Sequence, residues 1–164
     1  MVWFISDTHF GHENIIRYCN RPFQNVEEMN KEMIHRWNEK VAENDVVWHL
    51  GDFALCKKPE IERLLLRLHG KIRLIKGNHD TRSNKVYREL GFTEVYDHPI
   101  ILDEFIVLSH EPMPFVPSTG MVNLYGHVHD SLMHETWGKQ CACLCVERHN
   151  YAPVSMKEIS EHFK

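Results

Sequence analysis

Seven side chains with oxygen or imidazole donors fall in short groups along this chain: Asp7 and His9, Asp52, Asn78, His110, and His127 with His129. Asp7 and His9, like His127 and His129, stand two residues apart, a spacing that puts both side chains on one side of an extended segment. The set contains no thiolate, so it suits Mn, Fe, Zn, Co or Ni, with Mn2+ the first expectation. Seven donors exceed what one tetrahedral ion takes. Two divalent ions sharing a carboxylate would use them all, and two ions about 3.5–4 Å apart are the arrangement that drives in-line attack at phosphorus. With two such ions, the carboxylates of Asp7 and Asp52 and a bridging hydroxide, the site keeps a positive charge that attracts a phosphoryl group. Any one of these groups alone would read as turn residues ending a strand. A turn does not explain His79, which follows Asn78 at the end of the run "KIRLIKGNHD".

The donors need elements that bring five separate stretches together. Short β-rich apolar runs predict strands at Val2 to Ile5, Val46 to Leu50, Ile72 to Ile75, Phe105 to Leu108 and Val122 to Tyr125. Each run gives way at once to residues of the donor groups, as expected for strand ends that meet on one sheet edge, where open α/β folds place their sites. Val26, Met29, Met33, Trp37 and Val41, spaced by three and four, predict an amphipathic helix over Val26 to Ala42, with Asn25 and Glu28 as a capping box. Pro59 to Leu68 reads as a second helix with Pro59 in its first turn and Gly70 past its end. Shorter helices fit Asn14 to Cys19, Lys85 to Leu90 and Met156 to His162, and beyond Tyr125 the chain is strand-like. The order β-α-β-α-β followed mainly by strands predicts a layered α/β sandwich.

The 164 residues match one domain, 1–164, with a real hydrophobic core. A formal net charge of -4 argues against strong nucleic-acid binding and favours a phosphorylated small molecule or nucleotide as substrate. No stretch approaches the ~20 apolar residues of a membrane span, and the N-terminus lacks a basic region followed by an apolar one. A cytoplasmic location without membrane association is the expectation, and the odd count of five cysteines fits free thiols rather than a disulfide framework. Nothing in the composition fixes the oligomeric state.

In order, Asp7-Thr8-His9, Gly51-Asp52, Gly77-Asn78-His79-Asp80, His110 and Gly126-His127-Val128-His129 resemble the marks of the calcineurin-like binuclear metallophosphoesterases: D-x-H, GD, GNH[DE], a lone His and GHxH. The resemblance spans Val2 to His129, and "YAPVS" at Tyr151 to Ser155 is similar to the tail of small, cap-free bacterial and phage members. It implies a layered α/β/β/α sandwich with mixed sheets and a metal-dependent phosphoric ester hydrolase, a phosphodiesterase ahead of a monoesterase, working through a bridging hydroxide without a covalent phosphoenzyme. It further implies one ion held by Asp7, His9, Asp52 and His129 and the other by Asp52, Asn78, His110 and His127, with Asp52 bridging. Gly77 and Gly126 would let the backbone turn tightly under the ions. His79 would protonate the leaving-group oxygen or bind the phosphate, and Asp80 would orient its imidazole or cap the following turn.

Other residues carry weaker expectations. His12, three residues after His9, and Arg21 are candidate substrate contacts, as is Arg17. His49 is a candidate support from within its strand, whereas His35, His69, His98, His134, His149 and His162 read as surface or packing residues. Cys141, Cys143 and Cys145 alternate as small hydrophobes would. The stretch Cys143 to Glu147 departs from the Asn-Val-Gly-Val-Asp of relatives, so substrate preference would depart too if it lines the pocket. Trp3 and Trp137 are assigned to packing. Two alternatives stand beside the esterase: a non-catalytic metal-binding scaffold, and a phosphoesterase that processes nucleic-acid ends or cyclic nucleotides.

Overall fold

The computed structural model describes residues 1–113, 120–131 and 140–163. The first three apolar runs form β1 (Val2–Ile5), β2 (Val46–His49) and β3 (Lys71–Ile75), which pair in parallel with Val2 opposite Val46 and Val46 opposite Lys71. Three further strands, β4 (Glu94–Tyr96), β5 (Ile100–Leu102) and β9 (Val154–Ser155), are two or three residues long. So short a run shows no alternation, which is why β4 and β5 are not marked as strands in the sequence, whereas β9 lies in the strand-like stretch beyond Tyr125. β4 lies parallel to β3 and β9 antiparallel to β1, completing a mixed sheet of order β4-β3-β2-β1-β9. The second sheet runs β5-β6-β7-β8, with β6 (Ile106–Leu108), β7 (Val122–Tyr125) and β8 (Cys141–Cys143) parallel and β5 antiparallel to β6.

Both faces of the central strands are buried, so they read as continuous apolar runs. Trp3, Ile5, Val47, Ile72 and Leu74 point to the helical layer. Phe4, Trp48 and Ile75 point the other way, to meet Leu108 and Leu124 of the second sheet. The helical layer holds α1 (Glu13–Tyr18), α2 (Val26–Lys40), α3 (Lys58–Leu65) and α4 (Asn84–Leu90), which contribute Ile15, Met29, Met33, Trp37, Ile61, Leu64 and Tyr87 to one cluster. α5 (Met156–His162) follows β9 and places Ile159 in the inter-sheet cluster. This is the layered α/β sandwich with mixed sheets, and Trp3 is buried in it. Trp137 and His134 lie outside the described residues. No helix among the described residues is long and apolar enough to cross a membrane.

Helix ends differ from expectation for local reasons. Asn25 Oδ1 accepts from Glu28 N, but the Glu28 carboxylate reaches back to Gln24 N, one residue earlier than a standard box. α2 stops at Lys40 because Val41 is already extended, and α3 stops at Leu65, after which Arg67 N and Leu68 N bond three residues back in a tighter turn.

Candidate metal centre

Beyond the ends of β1, β2 and β7 the backbone becomes unusual. Ten non-glycine residues among those described have left-handed φ, and five of them, Asp7, His9, Asp52, His127 and His129, are candidate ligands. Such conformations cost about 1–3 kcal/mol each and persist where the surroundings impose them. Here neighbouring loops brace one another: Asp7 N donates to Gly51 O and His9 N to Asp52 O, both at 3.0 Å. The two-residue spacing therefore converges by a different route from the extended strand expected. The chain has already left the strand, and left-handed residues aim the side chains.

All seven donors meet in one place. Asp7 Oδ1 lies 3.8 Å from His9 Nε2 and 3.8 Å from His129 Nε2. Asp52 Oδ2 lies 3.5 Å from His9 Nε2 on one side and 3.6 Å from His110 Nε2 on the other. Asn78 Oδ1 stands 3.0 Å from both His110 Nε2 and His127 Nδ1, which are themselves 3.1 Å apart. Asp7, His9, Asp52 and His110 are buried, whereas Asn78, His79 and His127 are exposed, so the cluster opens to solvent on that side.

These donors fit divalent ions. Asp7 Oδ1 and His9 Nε2 are buried with no hydrogen-bond partner, which is costly unless a cation satisfies them. The trios Asp7, His9 and His129, and Asp7, Asp52 and His110, each bring their donor atoms within 4.8 Å of one another. Burial acts to raise the Asp7 carboxyl, but the facing imidazoles of His9, His110 and His129 outweigh it and hold the group well below the usual carboxylate range.

Supporting groups fix the orientation of the donors. Asp7 Oδ2 accepts from Ser6 Oγ at 2.5 Å and His127 N at 2.8 Å, with Cys145 Sγ at 3.3 Å, leaving Oδ1 turned to the cluster. His110 Nδ1 donates to Leu50 O at 2.8 Å, which leaves the Nε2 lone pair facing Asn78 and Asp52. Gly77 and Gly126 do not have left-handed φ. Their role is close approach: a Cβ on Gly126 would overlap Ser6 Oγ and Asp7 Oδ2, and one on Gly77 would overlap Asp52 Oδ1.

His49 acts from within β2. Its Nε2 donates to Thr8 Oγ1 at 2.9 Å, and Thr8 Oγ1 donates to Phe53 O at 2.7 Å, holding the Asp7-Thr8-His9 loop in place. Burial pushes the His49 imidazole down to about 3 from its ordinary 6.5. Its contribution to stability is therefore complete above pH 6.5 and is lost as the pH falls from there towards 3, because the unfolded chain binds a proton the fold excludes. In metal-stripped protein, the urea-unfolding free energy of wild type should fall more steeply over this window than that of His49→Gln, by up to about 1.4 kcal/mol per pH unit. Parallel profiles would remove this role.

The other expected residues fall as follows. The His79 ring stands 5.4 Å from that of His9, exposed at the rim, and His79 N donates to Asp52 Oδ1 at 2.9 Å. Asp80 does not orient that ring. It is buried, and its carboxylate accepts from Asp52 N, Gly77 N and Phe53 N, so it braces the two ligand loops from below. His12 lies beside the centre, 5.5 Å from the His9 ring and 6.2 Å from the exposed Tyr18, and makes no side-chain cap for α1. Arg17 is exposed with its guanidinium 5.6 Å from the Tyr18 ring.

Arg21 is not at the mouth. It is buried beneath the first ligand loop, where its guanidinium donates to Asp7 O, Thr8 O and Glu147 Oε1. Sequence reasoning missed Glu147, whose Oε1 lies 3.0 Å from His129 Nδ1. Its one signal was its place in the stretch that departs from relatives. That stretch packs under the centre, with Cys143 and Cys145 in a small cluster with Tyr125 and Val128. None of the five cysteines forms a disulfide. Of the remaining histidines, His35, His98 and His162 are exposed and His69 and His149 partly buried.

The fold is a two-sheet α/β sandwich with an Asp/His cluster that could hold a metal at its strand ends, and comparison with known proteins specifies its class. Residues 1–136 match the calcineurin-like phosphoesterase family, to which this chain belongs. It is 36% identical over 161 residues to the uncharacterized protein MJ1445 of Methanocaldococcus jannaschii, covering 94% of this chain and 86% of that one. Its fold is similar to that of the protein of unknown function AQ665 from Aquifex aeolicus (TM-score 0.77, 29% identity, 98% of each chain). A nuclease, MPE of Pseudomonas putida, is also similar, with TM-score 0.53 and 26% identity over 78% of this chain and 61% of that one.

Proposed function

We propose that this protein is a phosphodiesterase with a binuclear centre of two divalent ions, Mn2+ first, in which Asp52 is shared. The observation that carries the reading is the position of Asp52 Oδ2, 3.5 Å from His9 Nε2 and 3.6 Å from His110 Nε2, between two sets of donor atoms. Asp7, His9, Asp52 and His129 would hold one ion, and Asp52, Asn78, His110 and His127 the other. When bound, the ions would supply Lewis-acid polarisation of the phosphoryl oxygens and an activated water for in-line displacement. His79, anchored by its own N–H to Asp52 and free at the rim, would give a proton to the leaving oxygen, with His12 on the neighbouring side of the substrate.

A diester suits this rim better than a monoester. The buried Arg21 guanidinium is turned to backbone carbonyls and Glu147, so it does not offer the dianion of a monoester a bidentate partner. The likeness to nuclease MPE favours a second reading, in which the diester lies at a nucleic-acid end or in a cyclic nucleotide. A scaffold without catalysis fits less well, since His79 is present and unencumbered.

The test is hydrolysis of bis-p-nitrophenyl phosphate and p-nitrophenyl phosphate side by side, after metal removal and Mn2+ restoration. The diester should turn over faster. His79→Ala should lower kcat by about 10²- to 10⁴-fold on a diester with an unactivated alcohol, and by less on p-nitrophenyl esters, whose leaving group needs little protonation. Faster monoester turnover would reverse the assignment, and an equal deficit for both leaving groups would take the proton transfer away from His79.

A further inference from the structure

Glu147 lies outside the seven ligands, yet its side chain is 5% exposed and directed at one of them. His129 turns Nε2 to Asp7 Oδ1, and its other nitrogen, Nδ1, lies 3.0 Å from Glu147 Oε1. An ionised carboxylate only accepts, so this bond places the proton on Nδ1 and leaves the Nε2 lone pair facing Asp7 and His9. The same carboxylate oxygen accepts from Arg21 Nε at 2.9 Å and Nη2 at 2.7 Å. Arg21 in turn donates to the backbone carbonyls of Asp7 and Thr8 at 2.7 and 2.8 Å. One buried guanidinium thus joins the loop that carries Asp7 and His9 to the partner of His129, tying together three donors from opposite ends of the chain.

A different use of Glu147 can be weighed on the same geometry. Cys19, His129 and Glu147 also bring donor atoms within 4.8 Å of one another, the spacing of a further cation site. The Arg21 charge, 2.7 Å from the same carboxylate, opposes a cation there and makes Glu147 an acceptor rather than a ligand.

We propose that Glu147, clamped by Arg21, is a positioning residue that holds His129 with Nε2 towards Asp7 and His9 and thereby sets the affinity of that one ion site. The inference rests on the binuclear reading above. Partners behind metal-bound histidines change ion affinity by roughly 10- to 100-fold when removed.

The test is calorimetric titration of metal-stripped protein with Mn2+, together with thermal unfolding of each metal-free variant. Wild type should bind two ions. Glu147→Ala should weaken one of the two by roughly 10- to 100-fold and leave the other unchanged. Glu147→Gln, whose amide oxygen still accepts from Nδ1–H, should recover most of that loss. Should Glu147→Ala fail to fold, Glu147→Asp replaces it: the shorter carboxylate cannot span His129 and Arg21 together, so the same single site should weaken. Equal weakening of both sites alongside a lower Tm would make Glu147 merely structural and overturn the inference, as would unchanged binding at both. A third ion bound by wild type and lost in Glu147→Ala would make it a ligand instead. Uptake of fewer than two ions by wild type is visible before any variant is made and would remove the binuclear reading itself.

Discussion

Asp52→Asn should abolish Mn2+-dependent hydrolysis while leaving a folded protein that is no less stable without metal. Asp52 Oδ2 stands between the two donor sets, so on the binuclear reading losing its charge should weaken both ion sites together. The loss of turnover should exceed the about 10²- to 10³-fold that follows removal of one electrostatic contact in an active site. Asn keeps what the fold asks of this position. It tolerates the left-handed backbone at φ 57, and its amide oxygen can still accept from His79 N. In the metal-free protein Asp52 sits among buried carboxylates and adds to the effects that push Asp80 up, after burial itself, so neutralising it relieves repulsion. Added Mn2+ should then raise the unfolding free energy of wild type, by about 2.7 kcal/mol for each ion bound at a hundredfold excess over its Kd, and leave that of the variant unchanged. Equal stabilisation of both by Mn2+ would show that the ions bind elsewhere.

Arg21→Met should destabilise the metal-free protein by about 3–5 kcal/mol, the range for breaking a buried ion pair from one side. The side chain of Arg21 is fully buried, and removing its head leaves Glu147 charged with His129 alone and takes a donor from each of Asp7 O and Thr8 O. Adding Glu147→Gln should restore part of the loss, because the stranded charge is gone, though the two carbonyls remain without their donor. Urea unfolding of the two single variants and the double variant measures this coupling. A loss under about 1 kcal/mol would be the behaviour of a surface pair and would contradict the burial described.

The parts of the molecule written as periodic patterns were legible before the structure. The runs that became β1, β2, β3, β6 and β7 are apolar because they are buried on one or both faces, and α2 shows its buried stripe of Met29, Met33 and Trp37. The Asp, His and Asn groups that meet in the cluster stood out because they follow those strands directly in sequence. What the sequence does not carry is the direction of a side chain. Arg21 and Asp80 have the types of a phosphate contact and of a histidine's partner, yet each is turned inward by contacts with residues far along the chain: Arg21 to Glu147, 126 positions on, and Asp80 to Asp52 N, 28 positions back. Glu147 was missed for the same reason, since nothing local to it announces His129. Left-handed φ at Asp7, His9, Asp52, His127 and His129 was equally invisible, because these are not the glycines that advertise such backbone.

The most direct measurement of the central claim is diester turnover followed while metal-stripped protein is titrated with Mn2+, counted in ions per chain. The binuclear reading predicts that activity rises to a plateau at two ions and returns to nothing on chelation, with His79→Ala binding the same two ions at far lower turnover. A plateau at one ion, or hydrolysis that persists in the chelated protein, would contradict it.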